Sequence, residues 1–271
     1  MSLPSIGVIG LGRMAQALIE PLIASGSVDP DQVTAVVGRP ESAAALKQGV
    51  FGRCVIHSAE SAEAAEVLTA PLQLLAIKPQ QVEHAAASLP AVGGSPLLVS
   101  VLAGVNLSRL ERLFPSHRVV RAVPNTPALV GQGLTALAWG DSVSSSQRQE
   151  VQALFAGVGE VLELAEEKLD AFLALTSSGP AFVALVAEAM ADGAVAAGLP
   201  RDLAQRLAHR TLAGSAALLD QRQLHPASLK DMVASPGGTT IAGVRALERG
   251  GLRSALIEAV IAAAERSREL A

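Results

Sequence analysis

Ile6-Gly7-Val8-Ile9-Gly10-Leu11-Gly12-Arg13-Met14-Ala15 decides how the rest of the chain is read. A short apolar run passes into glycines spaced Gly-x-Gly-x-x-Ala and then into an alanine- and leucine-rich stretch, the order of strand, tight turn and helix. Glycine at 10 suits a sharp turn, glycine at 12 leaves the backbone open to a ligand, and the small Ala15 lets helix lie close on strand. Free amides at a helix start hold anions. The turn therefore suits the pyrophosphate of a dinucleotide, with Gly10, Gly12, Arg13, Met14 and Ala15 as candidate residues. The competing reading is a tight structural turn with no ligand.

Outward from that turn, short β-rich runs alternate with amphipathic ones from Ser5 to about Gly159. Strands are expected at Ser5–Ile9, Val33–Val37, Leu72–Ile77, Leu97–Val101, Val119–Ala122 and Leu134–Trp139. Helices are expected from Gly12 to about Ser25, from Pro40 to about Gln48, from Ser61 to Leu68, and from Ser108 to Leu113. This alternation predicts a parallel, doubly wound sheet covered by helices. From about Lys168 onward no strand pattern occurs, and Ala181 to Ala197 is apolar and small on nearly every face, with only Glu188 and Asp192 charged. A helix that is hydrophobic all round has to be buried. About a hundred residues of helix hide such a segment poorly in one small bundle, so a subunit interface is expected. The organisation expected is α/β, with a dinucleotide-binding domain at 1–163 and an all-α domain at 164–271.

Composition narrows the partners. The chain has 271 residues, half of them hydrophobic, with a net charge of -4, as a well-buried globular protein would. Aromatic residues make up 2% with no Tyr, so the stacking platforms and basic footprint of a nucleic-acid binder are missing. Cys54 is the only cysteine, which excludes an internal disulfide and fits a reducing cytoplasm. The apolar N-terminus lacks a basic leading segment and runs straight into the glycine turn, so it reads as a first buried strand and not as a signal peptide. Uncharged stretches at Ala85–Ser108, Ala122–Gly140 and Ala171–Ala187 approach membrane-spanning length, but Pro or Gly interrupts each one, and no membrane span is expected. His57, His84, His117, His209 and His225 show neither triad nor metal-ligand spacing, so no metal is expected.

Further candidates close the later strands, where ligands of open α/β sheets lie. In Val37-Gly38-Arg39-Pro40 a guanidinium stands where NAD-binding chains carry an acid for the ribose hydroxyls. Gly38 and Arg39 thus favour NADPH, with NADH as the alternative and a solvated Arg39 as the bland reading. Ile77-Lys78-Pro79 and Ala103-Gly104 close the next two strands, Lys78 reading equally well as an exposed strand-end lysine. In Val123-Pro124-Asn125-Thr126-Pro127 two prolines stiffen a loop around Asn125, a frequent place for function or simply a turn. Leu175-Thr176-Ser177-Ser178-Gly179-Pro180-Ala181 interrupts a helix, and Ser177 or Ser178 is read as the cap of the next segment. Ser235-Pro236-Gly237-Gly238-Thr239-Thr240 sets a glycine pair and two hydroxyls at what reads as a helix start, suited to a small anionic molecule.

In order and spacing, Gly10 to Ala15, Ile77-Lys78-Pro79, Val123 to Pro127, Ser178-Gly179-Pro180-Ala181 and Ser235 to Thr240 resemble pyrroline-5-carboxylate reductases, from Ile6 to Leu270. The resemblance implies a Rossmann domain followed by a helical domain that dimerises, and reduction of 1-pyrroline-5-carboxylate to L-proline with NAD(P)H. In that family the helical domains of two chains interlock, the site lies between them, and dimers often form decamers. By motif position Thr240 would be the hydroxyl that bonds the ring nitrogen. Ser235, Gly237, Gly238 and Thr239 would hold the substrate carboxylate, with Ser178 and Asn125 as further substrate contacts and Asn125 also near the cofactor. Two positions depart from the pattern: Gln223 stands where many relatives carry an acid before the His225-Pro226 pair, and His57 to Ser61 lacks an asparagine often found near the adenosine. Two other readings compete. A 3-hydroxyacid-dehydrogenase-like enzyme would need a catalytic lysine on the central helix, and Ala181 to Ala197 has none. A non-catalytic dinucleotide-binding protein would bind NADPH without oxidising it.

Overall fold

A computed structural model describes residues 3–88 and 93–270; residues 89–92, part of the uncharged stretch 85–108, lie outside it. The first half runs β1 (Ile6–Ile9), α1 (Arg13–Ala24), β2 (Val33–Val37), α2 (Pro40–Leu46), β3 (Val55–Ser58), a 3₁₀ segment (Ala62–Thr69), β4 (Leu72–Leu75), α3 (Val82–Ser88), β5 (Leu97–Ser100), α4 (Leu107–Leu113) and β6 (Arg118–Val123). It continues through β7 (Gly133–Trp139), α5 (Ser145–Ala156), β8 (Gly159–Glu163) and α6 (Leu169–Thr176). The helices that follow are α7 (Gly179–Ala196), α8 (Arg201–Gln221), α9 (Pro226–Val233), α10 (Thr239–Arg249) and α11 (Leu252–Glu269).

The strands form one sheet in the order β3-β2-β1-β4-β5-β6-β7-β8. Its first six are parallel, as expected, and side chains alternate between two cores. Val8, Val33, Leu74 and Val99 pack with Leu18, Leu22, Val151 and Phe155 from α1 and α5. Ile9, Val36, Leu75 and Leu98 face the other way, onto Val67, Val82, Leu110 and Phe114. The sheet departs from the parallel arrangement at β6 and β7, which pair antiparallel. The connection between them holds only a 3₁₀ turn, Thr126–Val130, too short for the helical crossover a parallel return requires.

β3, β8, α3 and α5 escape the pattern reading. β3 is four residues with an exposed Val55, and β8 is an edge strand with no fully buried position. α5 did carry a signal, the Ser144-x-x-Gln147 capping box, in which the Gln147 N–H reaches Ser144 Oγ and Gln147 Oε1 accepts the Ser144 N–H.

A polar pair of buried Gln73 and half-buried His117 makes stability pH-dependent. Gln73 Nε2 donates to Leu68 O at 3.0 Å and Ala70 O at 3.3 Å, which leaves its Oε1 facing His117 Nε2 at 3.1 Å. His117 therefore donates from Nε2, and its buried Nδ1 has no partner among the described residues to take a second proton's hydrogen bond. Burial holds the imidazole below its ordinary pKa. The unfolded chain takes up this proton first as pH falls, so the contribution of the neutral ring is full above the ordinary imidazole range and lost as pH drops through it. Melting scans at about pH 7.5 and about pH 5.5 should show a smaller acid-induced fall in Tm for His117→Gln than for the unmutated chain. An equal fall would show that His117 takes no part in the acid response.

The chain divides into two compact units, Met1–Ser177 with Ala263–Ala271, and Ser178–Ala262. Within the second unit the core is five small residues, Ala191, Ala204 and Ala208 with Ala194 and Val195 against them. As expected of a segment that one small bundle hides poorly, α7 buries only Ala187 and Ala191, and Leu185 is 66% exposed. α8 and α11 also expose Leu207, Leu256, Ile257 and Ile261. Glu166–Ala196 is long and apolar enough to cross a membrane by length and composition, although the Ser177-Ser178 step between α6 and α7 breaks it where the prolines and glycines indicated.

Candidate active site

The turn after β1 separates two reasons for glycine. Gly10 has φ of +94°, and a Cβ there would lie 2.8 Å from Ile77 Cγ2 and 2.9 Å from Ala76 O. Its N–H donates to Val36 O at 2.9 Å, so the protein itself requires this residue. Gly12 is different. It precedes α1 in an extended conformation open to any residue (φ −81°, ψ −172°), no side chain caps the helix, and a Cβ would meet nothing within 4 Å. The fold gives no reason for glycine there; a ligand pressed against the backbone does. The amides of Arg13, Met14 and Ala15, the first of a twelve-residue helix, have no intrahelical acceptors. Ala15 is fully buried against the sheet, as the spacing requires. The residues present thus fit a dinucleotide pyrophosphate.

At the end of β2, Gly38 and Arg39 are exposed, and Arg39 enters none of the ion pairs among the described residues. β3 lies beside it, with Ser58 opposite Val37 and the Ala59 N–H on Val37 O at 2.7 Å. The stretch His57 to Ser61 therefore does border this edge of the sheet. Past β4, Ile77 packs against the Gly10 turn, Lys78 is exposed, and the Lys78 N–H reaches Gln81 Oε1 at 3.4 Å. Past β5, Ala103 is exposed while Gly104 is buried, with φ of +72° and Leu270 O 2.7 Å from where a Cβ would sit. Chain packing alone accounts for that glycine.

Asn125 is 4% exposed and ties the loop down: Nδ2 donates to Thr176 O at 3.0 Å, and Oδ1 accepts the Leu134 N–H at 2.8 Å. One of its N–H groups is left for a ligand. Ser177 adds a second tie, its Oγ donating to Pro124 O at 3.0 Å. The capping role expected of Ser177 or Ser178 is therefore overturned. Ser178 occupies the cap position in a helical conformation without a side-chain bond. Pro180 has no N–H to offer it, and the Ala181 N–H already goes to Ser178 O at 3.0 Å. Sequence reasoning also missed Arg121, Glu166, Asp170 and Ser267, which form one polar cluster. The one signal was an arginine inside an otherwise apolar strand.

In the second unit the Ser235-to-Thr240 turn forms as expected. Gly237 has φ of +67°, the Gly238 N–H closes on Ser235 O at 3.0 Å, and α10 begins at Thr239. No side chain caps α10 and its first turn carries no acid, so the amides of Thr239, Thr240 and Ile241 stay open to an anion. A Cβ on Gly238 would collide with Ser235 Oγ. Thr240 is half-buried, with Ser235 and Thr239 exposed beside it. Gln223 proves to end α8: it is left-handed (φ +49°) and the Leu224 N–H reaches back to Leu219 O at 3.0 Å.

Comparison with known proteins identifies the family. A family model described as pyrroline-5-carboxylate reductase dimerisation matches residues 166–270. A curated pyrroline-5-carboxylate reductase of Synechocystis is 47% identical over 267 residues, covering 98% of this chain and 97% of the relative. The chain belongs to the pyrroline-5-carboxylate reductase family. A relative in Arabidopsis thaliana with the same description is 40% identical, covering 98% of this chain and 95% of its own. A second family model, NADP oxidoreductase coenzyme F420-dependent, matches residues 5–104. Among solved structures, pyrroline carboxylate reductase of Plasmodium falciparum with NADP bound superposes with a TM-score of 0.88 at 28% identity, covering 100% of this chain and 99% of that one. Family membership removes the 3-hydroxyacid-dehydrogenase alternative, in keeping with the absence of lysine from α7.

Proposed function

We propose that this chain reduces 1-pyrroline-5-carboxylate to L-proline with NADPH, the last step of proline biosynthesis. The observation that carries the reading is the uncapped start of α10, where open amides and the Thr240 hydroxyl sit side by side. The amides of Thr239, Thr240 and Ile241 suit the ring carboxylate, helped by the dipole of an eleven-residue helix and by the Ser235 hydroxyl. Thr240 Oγ1 bonds the ring nitrogen and so fixes which face of the C=N bond is presented. Ser178 and the free N–H of Asn125 are secondary substrate contacts. A protonated imine is already electrophilic, so these groups need to orient it more than to activate it. When bound, the reduced nicotinamide supplies the hydride.

On the cofactor side, Gly10, Gly12, Arg13, Met14 and Ala15 hold the pyrophosphate, and Gly38 with Arg39 takes the 2′-phosphate, which favours NADPH over NADH. Ile77, Lys78, Pro79, Ala103 and Gly104 line the nicotinamide half, with Asn125 beyond them. We assign dimerisation to the helical domain at 164–271, the exposed apolar faces of α7, α8 and α11 packing on a second copy, with dimers gathering into decamers. Glu188 and Asp192 on α7 favour that cover over lipid. The buried Cys54 thiol, pushed up to about 11 by desolvation, is inert, in keeping with a cytoplasmic protein.

The test is NADPH absorbance decay with 1-pyrroline-5-carboxylate, beside NADH and a linear 2-keto acid, with sedimentation of the same sample. Turnover of the cyclic imine, faster with NADPH, is expected from an oligomer. NADPH binding without turnover would return the chain to a non-catalytic role.

A further inference from the structure

The connection between β5 and α4 carries the exposed Ala103 and is pinned from two sides by residues far along the chain. On one side Glu166 Oε1 accepts the Leu107 N–H at 2.7 Å, at the first residue of α4. On the other, the end of α11 lays backbone on backbone: Leu270 O and its carbonyl carbon lie 2.7 and 2.8 Å from the position of a Gly104 Cβ. Both pins lead to one charge cluster. Arg121, on β6 and with its side chain 5% exposed, donates to Glu166 Oε1 at 3.1 Å and stands 3.9 Å from Asp170 Oδ1. That same Asp170 oxygen accepts from Ser267 Oγ at 2.6 Å, and Ser267 O accepts the Leu270 N–H at 3.2 Å.

We propose that Arg121, Glu166, Asp170 and Ser267 are positioning residues that set the height of the Ala103-Gly104 loop under the nicotinamide half of the cofactor. The inference rests on the NADPH-dependent reduction proposed above. In a doubly wound sheet the dinucleotide lies across the carboxyl ends of the strands, with its pyrophosphate at the β1 turn and its adenosine toward β2. Its nicotinamide then extends the other way, over β4 and β5, where this loop lies. A displacement of about an ångström at such a place can cost about a hundredfold in rate. One guanidinium holding two carboxylates resists that displacement, because moving either acid takes one of the two counter-charges away from a buried guanidinium. Ser267 is the gentlest point to cut the cluster, since it removes one neutral donor and strands no charge.

The test uses the full-length Ser267→Ala and Glu166→Gln variants, with titration calorimetry against NADPH and against 2′-phospho-ADP-ribose, which lacks the nicotinamide. We expect the Kd for NADPH to rise about fivefold or more while that for 2′-phospho-ADP-ribose stays unchanged, with Ser267→Thr restoring tight NADPH binding. A parallel loss of both ligands would make the cluster merely structural, and unchanged affinity for both would remove it from cofactor positioning; either result overturns the proposal. Should the unmutated chain bind NADPH but fail to reduce the imine, the proposed function falls, while the comparison of the two ligands still decides this one.

Discussion

Gly12→Val is expected to weaken NADPH binding by at least about a hundredfold while leaving a folded protein. Two charge-assisted hydrogen bonds from the start of α1 to a phosphate, at about 1.5 to 3 kcal/mol each, account for that loss. A side chain at position 12 stands where the ligand has to approach, yet its Cβ would meet no protein atom within 4 Å. The backbone there is extended, so valine brings no strain, and losing glycine before the helix costs about 1 kcal/mol. Gly10→Ala supplies the contrast. Its φ of +94° and its approach to Ala76 O make alanine cost several kcal/mol, about 2 to 4, in stability. Melting temperature and NADPH titration on the two variants separate the roles: one should lose the ligand, the other the fold. If Gly12→Val binds NADPH normally, the turn is structural and the cofactor lies elsewhere.

Thr240→Ala should lower kcat about a hundredfold, the usual cost of removing one oriented donor or acceptor from a transition state. KM for the imine should change little, because the open amides of α10, and not this hydroxyl, hold the carboxylate. Folding should be untouched, since alanine is a better helix former than threonine in the first turn. Thr240→Ser keeps the hydroxyl and should recover most of the rate. A Thr240→Ala enzyme with unchanged kcat would strike Thr240 from the mechanism and leave the helix start as a carboxylate clasp alone.

Much of this was legible from residues, and what was not has identifiable causes. Gly10, Gly12 and Ala15 stood out because each satisfies a different steric demand at a fixed spacing, and β1 and α1 fell into place around them. The turn at Gly237-Gly238 was readable for the same reason. By contrast, Asn125 was noticed for its flanking prolines, but its bonds to Thr176 O and the Leu134 N–H depend on strand order, which local pattern does not encode. The reversal of β7 hid in the shortness of a loop. Arg121 and Ser267 lie 146 positions apart and meet only through Asp170, so no window of sequence could join them. Ser178 misled because a serine before Gly-Pro looks like a cap, whereas the proline removes the very donor a cap would serve.

The alanine contacts that join α7 to α8 carry a consequence for how the protein behaves in dilute solution. Methyl groups packed on methyl groups, as Ala191, Ala204 and Ala208 are, bury too little apolar area to offset the entropy of ordering two long helices. In the dimer proposed above the second copy supplies the missing free energy, so by mass action the amount of protein present becomes a determinant of whether it stays folded. Scarcity would act on this chain as a denaturant does.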